Sequence, residues 1–212
     1  MTQLFSPFDA LAGLLLPHAT DGNDGSHDIA HLQRVWKNAV KIQTAEGGDM
    51  EILCAAVLLH DCVSVEKNDP RRTHASRLAA EKAAGLLCAL DWPADRIVQA
   101  AHAIEAHSFS ARIAPETLEA KILQDADRLD AIGHIGVARC FYIAGRMGSG
   151  LYNLQEPVAI SRPLDDKRHA LDHFHAKLFK LADGFQTAAG AALARQRHER
   201  LERFLADFLD EI

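Results

Sequence analysis

Residues 50–61 read MEILCAAVLLHD, and the fold turns on how this stretch is interpreted. From Ile52 to Leu59 there is no polar face, so a helix here must be enclosed on every side. The apolar run is far shorter than the roughly 20 residues that span a bilayer, so protein rather than lipid encloses it. It ends on His60 and Asp61, whose burial is costly unless hydrogen bonds or a metal compensate.

Outward from this centre, apolar residues recur at spacings of three and four over 27–46, 73–90, 94–107, 116–131, 132–146, 166–183 and 185–209. Alanine and leucine supply 62 residues against 20 from valine and isoleucine, a balance that favours helix over strand. The expected fold is therefore all-α, a helical bundle. Gly47-Gly48, Asp69-Pro70, Trp92-Pro93 and Ala114-Pro115 punctuate the helices, and 145–165, with three glycines and two prolines, reads as a long loop. No internal repeat or low-complexity tract is found. The expected organisation is a single domain over 1–212, with a core at 26–131 and a helical extension at 132–212 covering it.

The chain has 212 residues, enough to bury a core without disulfides or a structural metal. Its net charge of −6 argues against a nucleic-acid backbone or an anionic membrane as partner, and leaves a small molecule. Oligomeric state is not readable. Cys54, Cys62, Cys88 and Cys140 form no C-x-x-C pair and lie in apolar or helical stretches, as expected of buried thiols in a reducing compartment. The first twenty residues carry no basic leader. Cytoplasm is the expected location.

Twelve histidines invite a metal site without locating one. His27-Asp28 is a second His-Asp dipeptide, so His60-Asp61 alone is weak; a helix-capping His60 followed by a turn would also satisfy it. Two flanking stretches add weight: GSHDIAHLQRV at 25–35 and ILQDADRLDAIG at 122–133 both place ionisable residues in apolar helices.

The order His31, His60-Asp61, Asp127 resembles the H…HD…D pattern of the HD-domain superfamily of metal-dependent phosphohydrolases. The blocks SHDIAHLQRV, AAVLLHD, KNDP, ILQDADRLDAIG, HFHAKLFKL and RHERLERFL extend the resemblance over nearly the whole chain from about residue 24. They are similar to a bacterial subgroup, some of whose members cleave nucleoside triphosphates to monophosphate and pyrophosphate. The resemblance implies a helical bundle of the HD-domain type with a divalent metal on His31, His60, Asp61 and Asp127. It makes His27-Asp28 a decoy for the name-giving pair. Helical bundles do build such centres from facing helices. Mixed nitrogen and oxygen donors put Mn first, then Fe, Ni or Co as captured ions, then Mg, which prefers all-oxygen shells.

The resemblance implies water, activated by the metal, attacking phosphorus. Glu66, in the loop after the dipeptide, and Asp130, one turn from Asp127, are the candidate proton acceptors, and the sequence does not choose between them. Arg34 shares a helix face with His31 and could hold a phosphate bidentately, or pair with a neighbouring helix. Lys67 and Lys177 match basic positions of the subgroup, with solvated lysines as the alternative. His173, Lys177 and Lys180 are expected to share one helix face. His107, in AAHAIEAHSFSA, resembles a block where histidine meets phosphate or a leaving group. His102, about 140° away around the helix, reads as structural. The expected activity is hydrolysis of a (deoxy)nucleoside triphosphate. The alternatives are a nucleotide monophosphatase, a phosphodiesterase and a non-catalytic nucleotide sensor.

Overall fold

The computed structural model describes residues 4–19, 28–63, 65, 74–108 and 111–212. Glu66, Lys67 and the rest of the KNDP block lie outside the described residues. Among those described, the chain forms nine α-helices and no strand. They are α1 (Asp9–Leu15), α2 (Ile29–Glu46), α3 (Met50–Leu59), α4 (Ala75–Ala89), α5 (Ala94–Ala106), α6 (Leu118–Asp130), α7 (Gly133–Met147), α8 (Asp172–Ala176) and α9 (Ala188–Asp210). None is long and apolar enough to cross a membrane. The fold is all-α, and the chain divides into two compact units, 1–127 and 128–212, with the division inside α6.

In the first unit α3 is the central element. Every residue from Ile52 to Leu59 is at most 2% exposed, and α1, α2, α4 and α5 all pack against it. The apolar circumference seen in the sequence is thus covered by protein on all sides. Helix α2 begins where the Asp28 carboxylate accepts the His31 backbone N–H at 2.9 Å. It ends at Gly47 and Gly48, whose φ of +86° and +101° suit glycine and little else. At Gly48 a Cβ would also stand 3.2 Å from a Glu119 carboxylate oxygen, which takes the next N–H, that of Asp49, at 2.8 Å. Asp49 then caps α3 by accepting from Glu51 and Ile52. Burial raises its carboxyl pKa, but the Ile52 N–H and Arg96 outweigh it and hold the group below its ordinary range. Helix α1 was not anticipated by the sequence reading.

The second unit packs α7 against α9, with an aromatic cluster of Phe141, Phe174, Phe204 and Phe208 at centroid separations of 5.9 to 6.4 Å. Leu201 and Leu205 of α9 are buried and Phe204 and Phe208 half-buried, so this stripe is core. The expected helix at 166–183 is not continuous. Turns, with an isolated bridge at His169, occupy 166–171, α8 covers five residues, and the chain breaks at Lys177 (φ −138°, ψ −55°) before a 3-10 turn over Leu178–Ala182. His173, Lys177 and Lys180 therefore do not form a stripe on one helix. The break accompanies a tertiary tie: Asp172, 1% exposed, accepts both Arg162 guanidinium nitrogens at 2.6 and 2.7 Å and the Asp165 N–H at 2.7 Å. Such a tie favours turns before Asp172 over another helical turn.

Arg162 is also the main reason that the Asp172 carboxyl titrates below its ordinary value. Stability from this group is therefore complete above the unfolded carboxyl value of about 4 and is lost as pH falls through the lower folded value. Arg162→Ala is expected to lower the thermal midpoint by several degrees at neutral pH. The deficit should shrink toward pH 4, where the stranded carboxylate takes up a proton, and thermal melts at a series of pH values check this.

Three of the four thiols are buried, but Cys88 is exposed on α4, against the expectation that all four are enclosed. Burial, with smaller help from Asp9 and Glu51, pushes the Cys54 thiol up to about 12; burial and Asp166 push Cys140 up to about 11. Both are poor nucleophiles at neutral pH.

Candidate metal centre

Four helix ends in the first unit supply the ionisable cluster. His31 lies in the first turn of α2, His60 caps the C-terminus of α3 with Asp61 next, His107 caps the C-terminus of α5, and Asp127 sits in the last turn of α6. Three of these ends are C-termini, whose unpaired carbonyls carry partial negative charge and favour a cation.

The donor atoms converge. His31 Nε2 and His60 Nε2 are 3.3 Å apart. Asp61 Oδ2 stands 3.3 Å from His60 Nε2 and 3.8 Å from His31 Nε2. Asp127 Oδ1 stands 3.6 Å from His31 Nε2 and 3.9 Å from His60 Nε2. Donors bonded about 2.1 Å from one ion are separated by about 3.0 to 3.5 Å at tetrahedral or adjacent octahedral positions, so small adjustments would close this set on a metal. His31, His60 and Asp127 form one triad with metal-ligating spacing, and His60, Asp61 and His107 a second that shares His60.

Tautomers suit the same purpose. His60 Nδ1 donates to the Val57 carbonyl at 2.8 Å and His107 Nδ1 to the Ile104 carbonyl at 2.6 Å, leaving each Nε2 for the cluster. His107 Nε2 faces Asp61 Oδ1 at 3.6 Å, while Oδ2 faces the other imidazoles. Burial alone would push the His60 ring pKa down, but Asp61 foremost, then Asp127, hold the protonated ring up to about 9. These groups demand positive charge. The His31 and His60 imidazoles form a floor, at most 1% exposed, whereas the Asp61 and Asp127 side chains are 25% and 31% exposed.

Arg34 is half-buried one turn after His31 on α2. Asp130 is 1% exposed and accepts from Arg139 at 3.4 Å within the second unit. Lys177 is exposed in that same unit, at the break after α8. His102 accepts the Glu116 N–H at 3.0 Å, a structural role. Asp28 spends its carboxylate on capping α2, and His27 lies outside the described residues. Sequence reasoning missed Asn38 and Gln124, two amides that are 4% exposed within the same set of helices. Their signal was a polar side chain seven residues after His31 and another three before Asp127, both on apolar faces.

An all-α unit presenting histidine, histidine-aspartate and aspartate from the ends of α2, α3 and α6 has the ordered pattern of the HD-domain class of hydrolases. The chain belongs to this superfamily: the HD domain family model matches residues 28–132. It is 34% identical over 197 residues to YpgQ of Bacillus subtilis, covering 91% of this chain and 87% of that protein. The crystal structure of YpgQ in complex with ADP superposes with a TM-score of 0.73 at 31% identity, covering 96% of this chain and 94% of the other. A HD-superfamily hydrolase from Bacillus thuringiensis superposes at 0.74 with 30% identity, covering 96% and 95%.

Proposed function

We propose that the protein is a metal-dependent nucleotide phosphohydrolase that cleaves (deoxy)nucleoside triphosphates to monophosphate and pyrophosphate. The observation that carries this reading is the cluster of His31, His60, Asp61 and Asp127, with its buried imidazole floor and solvent-facing carboxylates. The ADP held by the similar YpgQ supports a nucleotide as the ligand. His31, His60, Asp61 and Asp127 would hold a divalent ion, which would supply Lewis acidity toward the phosphoryl group and a lowered pKa for water.

The remaining work falls to the chain's own groups. His60 and His107 are fixed by their Nδ1 hydrogen bonds, which hold the His107 ring beside Asp61, where it is assigned to a phosphate oxygen or the leaving group. Arg34 and the basic Lys67 are assigned to the polyphosphate. Of the two candidate proton acceptors, Glu66 is favoured, because the Asp130 carboxylate is buried against Arg139.

Product analysis tests the reading. Mn-loaded protein incubated with a panel of NTPs and dNTPs should release pyrophosphate and the monophosphate in equal amounts. Inorganic phosphate from a nucleoside monophosphate would instead make it a nucleotidase, and binding without turnover a sensor.

A further inference from the structure

We infer that Asn38 and Gln124 are positioning residues for the metal centre: two buried amides, each donating to the backbone carbonyl that immediately precedes a site residue. Asn38 Nδ2 donates to the Ala126 carbonyl at 2.9 Å, one residue before Asp127. Gln124 Nε2 donates to the Ala106 carbonyl at 2.8 Å, one residue before His107. Both contacts are buried, and they join α6 to α2 on one side and to α5 on the other. Asn38 is two helical turns from His31, and Gln124 one turn from Asp127, so each amide shares a face with a ligand of its own helix. Asn38 thereby holds the ligand-bearing helices α2 and α6 in one register, and Gln124 ties α6, which carries Asp127, to the end of α5, which carries His107.

The need for such ties follows from the uneven enclosure of the cluster. Packing encloses His31 and His60, whereas the Asp61 and Asp127 side chains are 25% and 31% exposed and less fully enclosed. Asp127 is then only as well placed as its backbone. Ala106 ends α5, so its carbonyl has no partner within the helix, and Gln124 supplies one where His107 leaves the helix. Residues that orient metal ligands from outside typically change affinity 10- to 100-fold when removed.

The inference rests on the cluster being a metal site, and its test keeps the two separable. Mn(II) affinity of the full chain is measured by isothermal titration calorimetry, alongside thermal melts of the metal-free protein. Asn38→Ala and Gln124→Ala should each weaken Mn binding about 10- to 100-fold. The volume-conserving Asn38→Leu and Gln124→Met, which also remove the donor, serve if the alanine variants do not fold. Leu201→Ala, in the core of the second unit, is the control for a merely structural loss: it should lower the melting temperature and leave Mn affinity unchanged. If the Asn38 and Gln124 variants behave like this control, binding Mn within about twofold of the native chain, the positioning role is overturned while the metal site stands. If the native chain takes up no Mn, the metal reading falls, and the positioning role with it.

Discussion

Replacing His60 and Asp61 together by alanine is expected to abolish both metal uptake and phosphohydrolase activity. The pair supplies two of the four proposed ligands, and His60 Nε2 is common to both triads of ligating atoms. Its removal therefore leaves neither triad whole. The loss should go well beyond the about 10- to 100-fold that follows removal of an outer partner. The fold should persist, because the change falls at the C-cap and the turn beyond it, outside the enclosed run Ile52–Leu59. Metal content of the purified protein and turnover of an NTP, with circular dichroism as the check on folding, measure the outcome. His102→Ala should retain both properties, since that ring only accepts the Glu116 N–H. Full activity in the double variant would show that the reaction occurs elsewhere.

The contrast between His60 and His102 shows how the site was legible in the sequence. Twelve histidines say little, whereas the order His31, His60-Asp61, Asp127 named four side chains that the folded first unit brings within a few ångströms. The central helix was legible too, because a run with no polar face has to be enclosed. Where the reading failed, tertiary contacts overrode local pattern. The spacing over 166–183 suits a helix, but Asp172 is captured by Arg162, ten residues earlier, and the helix shrinks to five residues. Cys88 lies in a helical stretch, yet periodicity did not settle which face of α4 would turn outward. Asn38 and Gln124 went unnoticed for a different reason. An amide in a helix is unremarkable until its partner is known, and both partners are backbone carbonyls distant in sequence.

Metal choice is the second large effect. Metal-free protein refilled with Mn should turn over substrate faster than protein refilled with Mg, by about tenfold or more, a difference of about 1.4 kcal/mol in the relevant free energy. The reason lies in the floor of the site. His31 and His60 are essentially enclosed, and the Nδ1 hydrogen bond to Val57 keeps the His60 lone pair on Nε2 aimed into the cluster. An ion cannot exchange these nitrogens for water without moving α2 or the end of α3. Mg dehydrates reluctantly and favours an oxygen octahedron with several waters, so it would have to accept two imidazoles in an environment that leaves it little alternative. Mn accepts mixed nitrogen and oxygen donors and tolerates that floor. Titration calorimetry with each ion and steady-state rates at saturating metal separate affinity from turnover. A clear preference for Mg in both would mean that the imidazoles are not ligands and that the carboxylates of Asp61 and Asp127 hold the ion. In that event single replacement of His31 by alanine would leave Mg affinity nearly unchanged, whereas with imidazoles bound to Mn the same replacement should weaken Mn by a large factor.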